Sequence, residues 1–527
     1  MKLTKGKLIF LITFACITLA ILLTRFTSKN ATECVPSEVT ITCENNLVSL
    51  SSETYCSIYY TVDGSIPSAD SILYTGPFEL KKVAMLCSAS DSIAVGDYSV
   101  LDGEVPVANV IRAIAIAPDG TCSNVVTCTC FDREQDLTVI SMIIDYDDLL
   151  DYETGIMVKG KIYDEWASTP EASDIVANKV SWRYEGNYTQ HGKEWERQAL
   201  LDIYDSGNHI QIPAGVRIQG HASRAFPQRS FNIYFREKYG AKRLDYDLFG
   251  NGITEYKSLT LRNGGNDADR LKFKDAWIQS RLTGLDFATQ SSKPAILYIN
   301  GEYWGIYNLQ EKYSDVYIKE HFDIEDDIVM IKEGELEEGD QSGLYEELLQ
   351  YSEKDLTDEE TWAKFKSIMD VQSMADYYAA QIYIGNGDFG QESNCALWRS
   401  VSSGEGPGDG RWRFMLYDTE YSSSMYGEDV TSSGFNSYKL ALENSPLFAS
   451  AMKNDEFRSL YLQSLENVKT RFRDETVAKT LNDYLDLWEP HMDAFYSRFG
   501  DSSWGYDYHA IQAFFHERSF TVLNDDA

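Results

Sequence analysis

Basic residues are scarce in this chain: 47 Lys+Arg stand against 82 Asp+Glu, a formal charge of −35 at pH 7. A nucleic-acid binder releases counterions with a basic face, and an anionic membrane surface attracts one, so the balance excludes both as principal partners. Histidine is scarcer still, seven in 527 residues with no His-x-x-x-His pair, which disfavours a helix-borne zinc hydrolase. No Gly-x-Ser-x-Gly nucleophile elbow occurs. Long apolar runs are missing except one near the N-terminus, and there is no internal repeat or long low-complexity linker. What is present is 43% apolar and 13% aromatic residues, enough for large buried cores, in a length that suits about two to four domains.

The one apolar run, Leu8 to Leu23, follows Lys2, Lys5 and Lys7 and precedes Arg25 and Lys29. A positive segment before about 16 apolar residues is either a signal peptide or a short membrane anchor. The lack of a small-x-small cleavage site favours the anchor, so residues 1–30 are expected to be a single pass or a leader. The remainder is then extracytoplasmic or secreted. Cysteine usage agrees: Cys34, Cys43, Cys56, Cys87, Cys122, Cys128 and Cys130 cluster together, and only Cys395 follows them. Such clustering implies disulfide stapling of a small exported module, with a pairing the sequence does not reveal. A zinc site is the competing reading, but Cys128-Thr-Cys130 is a weak signal for it. Short Thr-, Val-, Ile- and Tyr-rich runs broken at Asp63-Gly64, Pro67, Gly76-Pro77 and Pro118-Asp-Gly120 predict an immunoglobulin-like β-sandwich over residues 31–132. The run YYTVDGSIPS with LYTGP and IRAIAIAPDG resembles the small sandwich at the C-terminus of chitobiases and β-hexosaminidases, which implies an accessory role.

Residues 133–527 are expected to form the second domain, of α+β class. Gly215–Gly220 reads as a strand ending in glycine, and a second strand, Ser230–Phe235, is entered through Pro227-Gln228-Arg229. A helix is predicted over Asp269–Leu282, capped by Asp267 or Asp269. Next come two strands joined by Asn300-Gly301, the strongest short hairpin signal, and a helix to about Phe322. Further helices are predicted over Val371–Tyr383 and Val468–Leu487. Between them lie Gly385-Asn-Gly-Asp388-Phe-Gly-Gln-Glu-Ser-Asn394, a strand from Cys395, and Arg411-Trp-Arg-Phe-Met-Leu-Tyr-Asp418-Thr-Glu420. Phosphoryl transfer from ATP needs one carboxylate to orient the nucleophile, an Asn and an Asp for the metal, and a cation on the phosphates. A loop Asp…Asn followed by a strand-terminal Asp has that spacing.

The runs GVRIQGHASRAFPQRSFNIYF from Gly215, LRNGGND from Leu261, NGEYWGIYNLQEKY from Asn300, GNGDFGQESN from Gly385 and RWRFMLYDTEY from Arg411 are colinear motifs. In them the chain resembles the spore-coat protein H (CotH) kinase family, over about residues 139–425. The resemblance implies a two-lobed atypical protein-kinase-like fold behind the sandwich. It implies ATP with Mg²⁺ or Mn²⁺ as cofactors, and Ser or Thr hydroxyls of a surface or spore-coat protein as acceptor. Carried over by position, Asp388 is the catalytic-loop aspartate, Asn394 and Asp418 are metal ligands, and Glu420 adds a further carboxylate. Gly220, Ser223 and Arg224 fall where a turn approaches phosphates, and Glu311 lies where the hinge begins. The family pattern before the second strand carries a lysine; here Arg229 takes that place as the phosphate cation, with Asp275 as its suggested carboxylate partner. Two alternatives stand beside the kinase: a non-catalytic surface or coat-assembly protein, favoured by Arg229, and a glycoside hydrolase, favoured by the sandwich and the many carboxylates.

Overall fold

The computed structural model describes residues 35–340, 343–425, 431–500 and 508–521. The predicted anchor or leader, and Cys34, lie outside the described residues. The chain divides into two compact units, one of residues up to 81 with 109–132, the other of 82–108 with 133 onward.

The smaller unit is all-β. Strands β1 (Thr40–Glu44), β2 (Leu47–Ser51) and β5 (Phe78–Glu79) form one sheet. Strands β3 (Ser57–Thr61), β4 (Ile72–Leu73), β6 (Ala108–Ile116) and β7 (Val126–Phe131) form the other, in the order β4-β3-β6-β7. The predicted turn at Asp63-Gly64 is present: Ser65 N donates to Asp63 Oδ1 at 3.1 Å, and Gly64 takes the positive φ of 84°. Among the described residues the one disulfide is Cys43–Cys130, which ties β1 to β7.

Residues 82–108, which the sequence places in this sandwich, belong instead to the larger unit. Their short helices, Met85–Ser88 and Ser90–Ile93, bury Leu86 and Ile93 in the larger unit's core. Cys87 goes with them as a buried thiol. The deciding group is Glu302, fully buried, whose carboxylate accepts from Leu86 N (2.7 Å), Cys87 N (2.9 Å) and Arg498 Nη1 (3.1 Å). An apolar stretch of mixed pattern joins whichever core covers it, and contiguity with the cysteines concealed that.

The larger unit is mixed α/β. Its centre is a closed barrel in the order β10-β11-β14-β16-β15-β8-β9. The strands are β8 (Thr138–Ile144), β9 (Arg197–Asp205), β10 (Asn208–Gln219), β11 (Ser230–Tyr234), β14 (Ser258–Arg262), β15 (Ser292–Ile299) and β16 (Glu302–Glu311). A small hairpin, β12 (Leu244–Asp245) with β13 (Glu255–Tyr256), lies outside it. Period-two alternation turns Ile140, Leu201, Val216, Phe231, Leu259 and Leu309 into one apolar cluster. The register then aligns Arg217, Asn232, Thr260 and Gln310 as a polar row on the other face. The Asn300-Gly301 turn has φ of 50° and 85°, as a tight two-residue hairpin requires. The Asn300 amide also bonds both backbone groups of Ile144, pinning the hairpin to β8.

Beyond the barrel, β17 (Ile328–Lys332), β18 (Glu335–Glu338), β19 (Ala396–Ser400) and β20 (Arg413–Met415) make a four-stranded sheet in the order β18-β17-β19-β20. Helices surround it. Val371–Tyr383 is helical as predicted, capped by Asp370. The segment predicted as Val468–Leu487 is two helices, Asp455–Arg471 and Asp474–Trp488. The helix predicted from Asp269 begins only at Lys274. Lys272 has a φ of 67°, a left-handed conformation no helix accepts, and Asp267 caps the later start by accepting from Lys274 N.

Glu302→Ala is expected to destabilise the larger unit by about 3–5 kcal/mol, because it leaves the buried Arg498 charge and two buried N–H groups uncompensated. Urea unfolding of the two proteins checks this.

Candidate active site

Three segments meet at the end of β14. Arg262, the last residue of that strand, donates through Nη2 to Asp418 Oδ1 and to Glu420 Oε1, each at 2.6 Å. Between those two acids, Thr419 points the other way: its N and Oγ1 donate to Asp275 Oδ1 at 3.0 and 2.8 Å. Asp275 Oδ2 in turn accepts from Gln279 and from Gln310 of the outer barrel row. Alternation along 418–420 therefore sends two carboxylates to one guanidinium and the intervening residue to a helix.

The turn after Arg262 closes the site. Gly264 and Gly265 both have positive φ, and Asn266 N donates to Glu420 Oε1 at 3.1 Å. A Cβ on Gly265 would lie 1.7 Å from that same oxygen, so only glycine admits the carboxylate. The other oxygen, Glu420 Oε2, is buried and finds no hydrogen-bond partner among the described residues.

The loop after the Val371–Tyr383 helix faces the same place. Gly387 N donates to Tyr421 O, Asp388 N to Asn386 Oδ1, and Asn394 Nδ2 to Asp388 O at 2.8 Å. The left-handed φ of Asn394 (47°) and Asp418 (59°) mark both as backbone positions held by their surroundings. Asp388 is exposed; partial burial, and then the charge of Asp418, push its carboxyl up from the usual aspartate range. Burial works against ionised Asp418, yet Arg262 and the hydrogen bond with Glu420 hold its carboxyl below the usual range. Glu420 goes the opposite way, pushed well up by burial and by Asp418, against the pull of Arg262. The two acids thus shift in opposite directions beside one guanidinium. Lys332, 4.7 Å above the Tyr417 ring, adds a second cation that favours Asp418's charge.

Asp418 and Glu420 are thus brought together on Arg262, Asp388 lies close enough to feel the charge of Asp418, and Asn394 is tied to the Asp388 main chain. The donors are hard oxygens and one is an unsatisfied buried carboxylate oxygen, a set that fits Mg²⁺ or Mn²⁺.

Four other sequence-based assignments fare differently. Arg229 is fully buried, and all three guanidinium nitrogens donate to main-chain carbonyls: Nε to Arg224 O, Nη1 to Met157 O, Nη2 to Ile93 O. It stacks on Tyr188, is pushed down to about 10 by burial and is fully buried, so its side chain does not face a ligand. Asp275 is correspondingly not its partner but the anchor of Thr419. Ser223 and Arg224 lie in a 3-10 turn over Ala222–Ala225, and Gly220, with a φ of 105°, precedes it. Its Arg224 guanidinium, pushed down to about 10 by burial and then by Arg217, turns away to Thr189 O. The turn is nonetheless near the site through Asn263, whose Nδ2 reaches Ser223 O and whose Oδ1 accepts from Gly265 N. The Glu311 carboxylate is buried and occupied by Ser291 N and His321 Nε2, so it does not face a ligand.

Sequence reasoning missed Arg262, the Gly264-Gly265 turn and Lys332. Paired glycines directly after a strand-terminal Arg were the available signal.

Comparison with protein families then bears directly on this arrangement. The model described as CotH kinase protein matches residues 216–522, more than half the chain, and a second, Fn3 associated, matches 48–130. The chain belongs to the CotH family. A search of curated proteins finds no significant match. The CotH match begins inside β10, so β8 and β9 complete the barrel from outside the matched region. The Fn3-associated match runs through residues 82–108, which fold with the CotH unit.

Arg229→Met is expected to lower stability by about 2–4 kcal/mol, since three buried carbonyls lose their donor. Whatever melting shift ATP with Mn²⁺ produces in the unaltered chain, the variant should reproduce it. Thermal melting with and without ligand checks both halves.

Proposed function

We propose that this CotH-family chain is an exported, ATP- and metal-dependent atypical protein kinase, its barrel acting as the small lobe and the helical part with β17–β20 as the large lobe. The observation that carries the reading is the pairing of Asp418 and Glu420 on Arg262, with Glu420 Oε2 buried and without a partner among the described residues and Asp388 close enough to feel the charge of Asp418. In the reaction a Ser or Thr hydroxyl of the acceptor protein attacks the γ-phosphorus, and the bond to the ADP oxygen breaks. Asp388, exposed at the cleft, orients that hydroxyl and takes its proton. Asn394, Asp418 and Glu420 hold the divalent cation, which when bound neutralises charge on the phosphate oxygens. With Arg229 committed to carbonyls, Arg262 and Lys332 are the cations that border the phosphates.

The N-terminal run supplies the export signal or anchor in this reading; no helix among the described residues is long and apolar enough to cross a membrane. The acceptor is a surface or coat protein. A second reading, a pseudokinase used for surface or coat assembly, draws on the same Arg262, which occupies both acidic residues expected at the metal. The glycoside-hydrolase alternative has no supporting observation.

Phosphate transfer from labelled ATP, with Mg²⁺ or Mn²⁺ and a Ser-rich acceptor, tests the proposal. Label is expected with the unaltered chain and a fall of about 10²–10⁴-fold in Asp388→Ala, with a comparable loss in Asp418→Ala. Nucleotide-induced stabilisation without label favours the pseudokinase.

A further inference from the structure

Arg229 and Arg262 are both buried, yet they use their donors differently. Arg229 gives each of its three guanidinium nitrogens to a different carbonyl. Both bonds from Arg262 leave a single nitrogen, Nη2, which donates to Asp418 Oδ1 and Glu420 Oε1 at 2.6 Å each. Its Nε is buried with no partner among the described residues, and so is Glu420 Oε2. A guanidinium carries five N–H donors, so a hold through one nitrogen leaves most of its bonding capacity unused. The two acids are also held without Arg262. Thr419, between them, is fixed by two bonds to Asp275, at 3.0 and 2.8 Å, and Glu420 Oε1 accepts from Asn266 N at 3.1 Å. Loss of the Arg262 bonds therefore leaves the segment that carries both carboxylates in place.

We propose that Arg262 is a displaceable counter-ion that competes with the divalent cation for Asp418 and Glu420, so that metal loading and Arg262 release are one switch. The inference rests on the metal-dependent reading above and adds how that site is regulated. Two carboxylate oxygens that both lie 2.6 Å from Nη2 converge on one point and have no room for a second cation there. Like charges also repel strongly in a buried, low-dielectric space, so the two occupants exclude each other. Paired buried carboxylates with no cation are costly, which is why one occupant leaves only as the other arrives. Arg262, once released, has its unused donors for the phosphates it borders. Competition of this kind lowers the apparent metal affinity by the fraction of molecules in which Arg262 is off the acids. The unaltered chain therefore binds the cation more weakly than its acids alone would allow.

Mn²⁺ binding to the full chain with no nucleotide added tests this, read by electron paramagnetic resonance as loss of the free-ion signal. Arg262→Gln, which keeps a donor but not the charge, is expected to bind Mn²⁺ about 10-fold or more tightly than the unaltered chain. Arg262→Lys, which keeps the charge, should gain less. Adding Asp418→Asn to Arg262→Gln should abolish the gain, which assigns the bound ion to these acids. Equal or weaker binding by folded Arg262→Gln, or a gain that survives Asp418→Asn, overturns the inference and leaves the metal-dependent reading standing. No binding by any of the proteins overturns both. Circular dichroism confirms folding; where Arg262→Gln is not folded, a crystal structure of the unaltered chain with Mn²⁺ decides. Mn²⁺ on Asp418 and Glu420 with Arg262 detached from both supports the switch, and Mn²⁺ bound with both Arg262 bonds retained overturns it.

Discussion

A guanidinium buried at the end of a strand organises the CotH unit's centre. Arg262 cannot remain charged in a dry interior without acid partners, and isolated burial of such a charge is prohibitive. Asp418 and Glu420 satisfy it, which fixes where the segment after β20 crosses the end of the barrel. Asp275 then takes Thr419 from the opposite side, so three consecutive residues are held by two independent elements. The same contact sets the acid–base character of the site: beside one guanidinium the carboxyl of Asp418 is held down and that of Glu420 is pushed up.

The barrel supplies the rigidity this arrangement needs. Its interior is filled by alternate residues of every strand, and on the other face Arg217, Asn232, Thr260 and Gln310 align as a polar row whose Gln310 touches Asp275. Closing the sheet leaves no edge to slip, so the register that positions Arg262 is over-determined. At the Gly264-Gly265 turn the backbone comes close to the Glu420 carboxylate, and the missing Cβ of Gly265 is what allows it.

Charge is used twice for quite different ends. Arg229 and Arg262 both sit on barrel strands or their approaches and are both buried, yet Arg229 spends its donors on carbonyls of three separate segments. It is a strut holding residues 93, 157 and 224 together, whereas Arg262 is an electrostatic element of the site. A motif position names a residue type; the acceptors within reach decide the role. The same holds for Glu302, which draws the helix at Leu86 out of the sandwich's stretch of sequence into the other unit.

The sequence by itself determined the strand alternation, the Asn300-Gly301 hairpin and the Val371–Tyr383 helix. These rest on local periodicity and turn chemistry, both of which act over a few residues. Tertiary structure alone decided that Lys82–Ala108 joins the larger unit, that the helix predicted from Asp269 starts at Lys274, and that Arg229 is internal while Arg262 meets the acids. Those outcomes depend on which distant groups share a buried, low-dielectric space. Long-range burial and hydrogen-bond satisfaction have no period, so a one-dimensional pattern carries no trace of them.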